Sequence, residues 1–114
     1  MAETIFSKII RGEIAAKVVH DDDHCLAFHD VHPHAPVHVL VIPKQPIESL
    51  EQLTEDQAAL MGHIWITIPE LARQLGLAAD GYRVVVNCGR NGGQSVDHLH
   101  FHILGGRSLE WPPG

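Results

Sequence analysis

Hydrophobic positions recur along this chain with the period of a helix in some segments and with the period of a strand in others. Two segments have helical spacing and predict two helices. Apolar residues at helical spacing follow Thr4, which can cap a short helix over residues 4–11. A second and longer stretch of helical spacing covers residues 54–75, where Thr54 and Gln57 match a capping box and Gly76 is a natural stop. Pro69 lies inside this stretch and is expected to kink the helix, because it cannot donate a backbone hydrogen bond.

Five other segments have the length and composition of strands, and turn-forming residues separate most of them. They cover residues 17–20, 25–30, 38–42, 82–87 and 98–104. Strands joined mostly by turns, with one long helix inserted, favour an α+β fold on an antiparallel sheet. A length of 114 residues suits a single domain over residues 1–114, with its own hydrophobic core.

The charge balance excludes several classes of partner. The formal net charge is −6, and the acidic and basic residues are interspersed. Nucleic acids and acidic membranes are bound mainly by clustered Lys and Arg, so neither is an expected partner. No apolar run is long enough to span a bilayer.

The N-terminal residues and the two cysteines indicate the cellular compartment in which the protein works. Lys8, Arg11 and Glu13 interrupt the N-terminal stretch, which therefore does not have the form of a signal peptide. Cys25 and Cys88 form no CxxC pair, so two free thiols in a reducing compartment are the simplest interpretation. We expect a cytoplasmic protein.

Three of the ten histidines alternate with apolar residues near the C-terminus. Successive side chains of a strand point to opposite faces, so His98, His100 and His102 are predicted to share one face. The intervening apolar residues would then pack into the core. A merely solvated strand face would more naturally carry Thr, Lys or Glu, so this row of imidazoles indicates chemistry.

A metal-binding site is the more specific alternative role for these histidines. Ligand nitrogens around tetrahedral zinc lie within roughly 3.5 Å of one another. The Cα atoms of His98 and His102 would be about 13 Å apart on a strand. Two neighbours from this strand plus a ligand from elsewhere could bind one metal, whereas all three could hardly do so. Contact with an extended ligand suits the spacing better.

The residues just before the histidines suggest that this ligand carries a phosphate. Gly92-Gly93-Gln94-Ser95 offers backbone N–H groups and a hydroxyl, although a Gly-Gly pair alone is more often a plain turn. Imidazole can attack phosphorus and form a phosphohistidine, which splits one displacement into two. A second imidazole can steady the phosphoryl oxygens or carry the proton of the leaving group.

At this point the sequence resembles a known family. Residues 98–104 fit the His-φ-His-φ-His-φ-φ signature of the histidine triad (HIT) superfamily, in which φ is an apolar residue. Further matching segments lie in order along nearly the whole chain, at residues 6–10, 27–31, 38–44, 92–96, 105–107 and 111–114. The last three look specifically like the Hint branch, the histidine triad nucleotide-binding proteins. The resemblance implies a five-stranded antiparallel sheet with one long and one short helix, and a homodimer with a continuous sheet.

The resemblance also implies roles for individual residues. His100 matches the nucleophile, and His102 matches the histidine that contacts the phosphate and the leaving group. His98 is expected to orient His100, and His38 to support this network. The remaining expected contacts are Asp30 with the ribose hydroxyls, Phe28 and Val31 with the base, and Asn87, Gly93, Gln94 and Ser95 on the phosphate side.

Two features of the chain depart from patterns in that family. Asp97, beside the triad, stands where an aromatic or small residue is common in the family. Its negative charge is expected to affect access by anionic leaving groups. Zinc-binding members carry an N-terminal cysteine pair that this chain lacks, so no metal and no cofactor is expected. His20, His24, His29, His32, His34 and His63 match no functional position.

The expected activity is hydrolysis of the P–N bond in purine nucleoside 5′-phosphoramidates, including adenylyl-lysine types, through a nucleotidyl-histidine. The product is a purine nucleoside monophosphate. Three alternatives stay open at this point. They are a partner-binding regulatory module with incidental hydrolysis, a metal-dependent hydrolase or metal-storage protein, and a dinucleoside polyphosphate hydrolase.

Overall fold

The computed structural model describes residues 3–114 and contains, in that range, two α-helices and five strands. The helices are α1 (Ile5–Ile10) and α2 (Ala58–Gln74). The strands are β1 (Val18–Asp21), β2 (Cys25–His29), β3 (Val37–Pro43), β4 (Tyr82–Val85) and β5 (Phe101–Gly105). All seven elements were predicted from the sequence, with ends that differ by up to about one helical turn.

The strands form one sheet in the order β1-β2-β3-β5-β4, and every neighbouring pair is antiparallel. The predicted α+β class and the five-stranded antiparallel sheet are therefore confirmed. β3 and β5 lie at the centre of the sheet, so side chains from residues far apart in the chain meet there. His38 is opposite Leu104 in this register, and Leu40 is opposite His102.

Each face of the sheet carries its own buried apolar cluster. The long helix α2 covers one face, where Ile64, Ile68 and Leu71 pack with strand residues such as Val41 and Phe101. The short helix α1 covers part of the other face through Phe6, which packs among Phe28, Leu40 and Ile42. Because residues directly opposite share a face, His102 lies on the same face as Leu40 and α1.

The ends of the helices follow the sequence signals. The amide of Ser7 donates to the Thr4 hydroxyl, and the amide of Thr4 donates to the Ser7 hydroxyl, so α1 has a reciprocal cap. The predicted start of the long helix at Thr54 needs correction. Residues Glu55–Gln57 form a 3₁₀ turn, and the α-helix starts at Ala58. α2 continues through Pro69 to Gln74.

The last strand starts three residues later than predicted. β5 begins at Phe101, whereas the pattern placed the start at His98. The ladder stops there because β3 ends at Pro43, which has no N–H to donate, and the Leu99 amide turns to Ile47 O at 2.7 Å. The alternation of faces nevertheless persists, since Leu99 is fully buried in the cluster under α2. Within residues 3–114, no helix combines the length and apolar character that crossing a bilayer requires.

Candidate active site

Three imidazoles of the triad lie together on the face of the sheet that carries α1. The ring centroids of His100 and His102 are 5.0 Å apart. The Phe6 ring packs edge-on against His100 at 5.1 Å and lies 6.1 Å from His98. The prediction of a shared face is therefore confirmed. However, only His102 belongs to a strand, and the other two residues lie on the extended segment before β5.

His98 positions the segment from within the protein. Its side chain is 1% exposed, and its Nε2–H donates to Pro43 O at 2.8 Å. The spacing suggested that its ring flanks a ligand, and the resemblance implied that His98 orients His100. The hydrogen bond to Pro43 O directs the ring into the protein instead of towards a ligand. The main-chain carbonyl of His98, rather than its ring, contacts His100 directly.

This carbonyl determines the protonation pattern of His100. Nδ1 of His100 lies 2.7 Å from His98 O, and a carbonyl can only accept, so Nδ1 carries the ring proton. In the neutral ring, Nε2 therefore holds an unprotonated lone pair. Burial lowers the pKa of His100 below its ordinary value of 6.5. The ring is consequently neutral, and Nε2 is nucleophilic, at physiological pH.

A second chain of hydrogen bonds determines the protons of His38 and His102. The backbone N–H of His34 donates to Nδ1 of His38 at 3.0 Å, so the proton of neutral His38 is on Nε2. That Nε2–H lies 2.9 Å from Nδ1 of His102, which accepts it. His102 must then carry its own proton on Nε2. His34 matches no functional position in the sequence, and it contributes to this hydrogen-bond network through its main-chain amide, not through its ring.

Burial keeps this cluster uncharged. It lowers the pKa of His38 and of His98, and it lowers the pKa of His102 to about 4, with help from the neighbouring His100 and His38. A bound phosphate would oppose this effect, because an anion close to an imidazole favours the protonated form. His102 can therefore gain a proton when an anionic ligand arrives.

Asp30 connects the triad to an open cleft. Its Oδ2 lies 3.5 Å from Nε2 of His38, and its Oδ1 accepts the amide of His32 at 2.9 Å. The cleft has a volume of about 710 Å³, and Asp30, Val31 and His38 are among its lining residues. Val31 is 82% exposed, which leaves its side chain free to contact a ligand.

Phe28 occupies a different position from the other residues expected around a base. It is buried, and its ring packs edge-on against Phe6 with centroids 5.7 Å apart. It lies beneath the site and supports Phe6, which in turn contacts His100. A direct contact of Phe28 with a base stays a prediction.

The glycine loop before the triad is held mostly by its own hydrogen bonds. The Asn87 side chain donates to Gly92 O at 2.6 Å, and the amide of Gly93 donates to Arg90 O at 3.1 Å. Gln94 connects the loop to the rest of the chain, since its Nε2 donates to Glu48 O at 2.8 Å. Asn87, Gly93 and Gln94 thus shape the loop, and Ser95 is the exposed hydroxyl beside it.

Two supporting groups could not be recognised from the sequence. Pro43 O anchors His98, and Ile47 O anchors the next residue of the same segment. Both are main-chain acceptors more than 50 residues away, and no side-chain pattern signals such a role. Phe6 was visible only as part of the apolar stripe of the first helix.

Asp30, His38 and His102 also have donor atoms within 4.8 Å of one another, a separation that one metal ion can bridge. A hydrogen bond joins two of these atoms, since Nε2–H of His38 donates to Nδ1 of His102. Asp30 Oδ2 and His102 Nδ1 therefore both face the single Nε2–H of His38, which orients the His102 ring and fixes its tautomer. The unprotonated Nε2 of His100 lies beside this set, and a neutral imidazole nitrogen of this kind can act as a nucleophile.

Comparison with known proteins identifies the family that carries this site. The HIT domain family matches residues 11–109, and the chain belongs to this family. It is 60% identical over 112 residues to an uncharacterized HIT-like protein of Synechococcus elongatus, covering 98% of this chain and 97% of that protein.

Solved structures show the same similarity. A HIT family hydrolase from Legionella pneumophila has a TM-score of 0.96 and 46% identity, over 98% of this chain and 100% of that one. A histidine triad nucleotide-binding protein from Candida albicans has a TM-score of 0.80 and 32% identity, over 96% of this chain and 83% of that one.

Proposed function

We propose that this protein is a hydrolase that cleaves the P–N bond of purine nucleoside 5′-phosphoramidates, with His100 as the nucleophile. The observation that carries the proposal is the hydrogen bond from His100 Nδ1–H to His98 O, which leaves Nε2 as a free lone pair. The similarity to a HIT family hydrolase supports the reaction class. The sequence resemblance to the Hint branch supports the phosphoramidate substrate.

In the first step, Nε2 of His100 attacks the α-phosphorus, and the P–N bond to the leaving amine breaks. The amine departs with the electron pair of that bond and takes a proton. His102, protonated once the anionic substrate is bound, is proposed to deliver this proton, because its ring lies against His100. In the second step, water gives a proton to His102, which the first step left neutral, attacks phosphorus and breaks the bond to His100. The nucleoside monophosphate leaves, and neutral His100 is restored.

The nucleotide is proposed to lie in the cleft beside the triad. The Asp30 carboxylate would accept the ribose hydroxyls, and exposed Val31 would contact the purine. Ser95, with Asn87, Gly93 and Gln94 shaping its loop, would lie on the phosphate side. The similarity to a protein whose name includes nucleotide binding supports this placement. Phosphoryl transfer depends mainly on positioning and on stabilising charge, which imidazoles and amides can provide.

The working unit is proposed to be a homodimer in which two sheets join edge to edge. β4 is an edge strand, so one side of it is open for pairing. Trp65 and Ile66 of α2 are large exposed apolar side chains, which are typical of an interface. The two free cysteines support a cytoplasmic location, where thiols stay reduced.

Trapping the covalent intermediate tests this function. Wild-type protein quenched with radiolabelled adenosine 5′-phosphoramidate should carry labelled nucleotide on His100, located by peptide mapping. His100→Asn should bind AMP yet lose several orders of magnitude in turnover, as removal of a nucleophile does. His32→Asn, which changes an exposed loop histidine, should react normally and serves as the matched control.

Other outcomes distinguish the competing functions. Label on a different residue, or near-normal turnover by His100→Asn, would overturn the mechanism. Faster cleavage of dinucleoside polyphosphates than of phosphoramidates would replace the substrate class. Tight AMP binding without turnover of either substrate would indicate a binding module.

A further inference from the structure

A second cluster of potential ligands lies on the other face of the sheet, where α2 packs. It consists of His20 on β1, Asp22 in the β1–β2 turn, Cys25 at the start of β2, and His63 on α2. Nε2 of His20 lies 2.6 Å from Asp22 Oδ2, and Nε2 of His63 lies 2.7 Å from the same oxygen. The Cys25 sulfur is 3.5 Å from it. Four metal-ligating groups therefore converge on one point.

The Asp22 carboxylate is oriented by the backbone. Its Oδ1 accepts the amides of His24 and Cys25 at 2.7 and 2.8 Å. These bonds hold Oδ1 in the turn and direct Oδ2 towards the two imidazoles and the thiol. Outer hydrogen bonds of this kind are what fix the direction of a carboxylate ligand in metal sites. The geometry of the carboxylate is thus preset before any ion arrives.

The surroundings are partly enclosed and negatively charged. Cys25 is fully buried, whereas the side chains of His20 and Asp22 are each about one-quarter exposed, so an ion can enter from that side. Asp21 and Asp23 flank the turn. Burial, together with the nearby Asp22 carboxylate, raises the pKa of the Cys25 thiol to about 12. A protonated buried thiol is a poor nucleophile, so the cluster is not arranged for cysteine chemistry.

We propose that His20, Asp22, Cys25 and His63 form a binding site for one zinc ion. Two imidazoles, one thiolate and one carboxylate are ligand types that zinc binds in tetrahedral geometry, and calcium or magnesium would prefer oxygen alone. Both Nε2 atoms now donate a proton to Asp22, so on zinc binding each ring shifts that proton to Nδ1 and binds the ion through Nε2. The zinc ion replaces the thiol proton of Cys25, and that proton is released to solvent.

Three of the four ligands are already close together, and the fourth has to move towards them. Ligand atoms around tetrahedral zinc are roughly 3.5 Å apart, given bonds near 2.1 Å to nitrogen. The present separations from Asp22 Oδ2 are 2.6 Å to His20, 2.7 Å to His63 and 3.5 Å to Cys25, so both rings must withdraw from this oxygen to admit an ion. Donor atoms of His20, Asp22 and Cys25 already lie within 4.8 Å of one another. His63 contacts Asp22 but is not part of that group, so its ring must turn inward from α2 to become the fourth ligand. Binding would then tie α2 to the β1–β2 turn.

Cobalt spectroscopy tests the ligand set. Titration of the metal-free protein with Co²⁺ should give tetrahedral d–d bands and a thiolate charge-transfer band at one equivalent per chain, and Zn²⁺ should remove both. Cys25→Ser should abolish the charge-transfer band. Cys88→Ser is the matched control and should retain it, since Cys88 lies on the loop after β4 and outside the cluster. A band that survives in Cys25→Ser would overturn the site.

A second variant avoids any folding defect caused by changing a buried residue. His63→Gln alters a partly exposed position on α2 and should weaken Zn²⁺ binding, measured against a chromophoric chelator. The loss should exceed the roughly 10–100-fold that removing an outer hydrogen-bond partner costs. Zn²⁺ should raise the Tm of the wild type but not of His63→Gln. Unchanged affinity of this variant, or no Zn²⁺ binding by the wild type, would refute the proposal.

This inference is independent of the proposed hydrolase activity. The cluster lies under α2, whereas the triad lies on the face of α1. Excess EDTA should therefore lower Tm in zinc-loaded protein while phosphoramidate turnover continues. Zinc binding that is lost in His102→Gln and retained in His63→Gln would assign the metal to the triad instead and exclude the cluster.

Discussion

The Nε2–H of His38 donates to Nδ1 of His102 across 2.9 Å, although the two residues are 64 positions apart. They meet because β3 and β5 are neighbours in the sheet, with His38 opposite Leu104 and Leu40 opposite His102. The bond assigns the remaining proton of neutral His102 to Nε2. It also joins His102 to Asp30, whose Oδ2 is 3.5 Å from the same His38 nitrogen.

Replacing His38 with Phe should slow turnover and leave the protein folded. Phe fills the buried space but cannot donate to His102, so the proton on His102 is no longer directed to Nε2. Loss of one such hydrogen bond predicts a roughly 2- to 10-fold fall in kcat. NMR of ¹⁵N-labelled histidine should show a mixture of His102 tautomers. His32→Asn should show neither effect, and an unchanged His102 tautomer in His38→Phe would contradict the assignment.

Stability should fall as the pH drops from about 6.5 towards 4. Burial, with neighbouring His100 and His38, lowers the pKa of His102 to about 4, from its ordinary value of 6.5. Between these values the unfolded chain binds a proton that the folded protein does not, so the stabilisation is complete above the unfolded pKa and declines below it. The decline attributable to His102 is up to about 3 kcal/mol.

Urea unfolding at pH 7 and pH 4, compared between wild type and His102→Gln, measures this contribution. The groups that face His102 are His100 before β5, His38 on β3, and Asp30 and His34 in the β2–β3 connection. These groups remain in both proteins. The difference between the two proteins in how the free energy of unfolding changes with pH therefore reports His102 together with its interactions with them. Equal pH dependence of the two proteins would show that His102 titrates normally.

Asp30→Asn should weaken AMP binding by roughly 10- to 150-fold, because charged hydrogen bonds to the ribose hydroxyls contribute about 1.5–3 kcal/mol. Asn keeps Oδ1, which accepts the His32 amide, so the local turn should persist. Calorimetry with AMP measures the effect. Glu70→Gln removes an exposed carboxylate on α2, on the other face of the sheet, and is the control. Equal affinity of Asp30→Asn and wild type would place Asp30 outside the nucleotide site.

Two glycine substitutions should change stability in opposite directions. A Cβ on Gly92 would lie 2.3 Å from Cys88 O, so Gly92→Ala must distort the loop that precedes the triad. Gly62 is on α2 with open space around it, and Gly62→Ala should stabilise by about 0.5–1 kcal/mol. Denaturant unfolding of each variant and of the wild type measures the change in the free energy of unfolding. A Gly92→Ala protein as stable as wild type would show that the loop accommodates a side chain.

Deleting residues 111–114 should alter substrate preference more than stability. Trp111 is exposed, and Arg83 of β4 holds the preceding segment by donating to the carbonyls of Leu109 and Glu110 at 3.2 and 2.7 Å. The tail therefore leaves the domain at the β4 edge, where a second copy is proposed to join. Relative kcat/KM for several phosphoramidates measures preference. If the relative kcat/KM values and the Tm are both unchanged, the tail does not contribute to substrate selection.

The sequence by itself determined the elements and the class of the site. Alternation with a period of two requires Leu99, Phe101 and Ile103 to be buried together, which directs the intervening histidines to the opposite face. Local signals of this kind act over a few residues, so they also located the cap at Thr4 and the stop at Gly76. The motif, with its resemblance to the HIT family, also led to the proposal of phosphorus chemistry with His100 as the nucleophile, which stays a prediction.

Only the tertiary structure decided where the protons are and which groups meet. The tautomers of His38, His100 and His102 depend on main-chain groups and on pairing between β3 and β5. Main-chain donors and acceptors are the same in every residue, so no sequence pattern identifies those that a fold will use. The contact between Asp22 and His63 likewise joins segments 41 residues apart. Such contacts arise when α2 packs on the sheet, because burial of its apolar face determines which polar side chains at its margin are brought together.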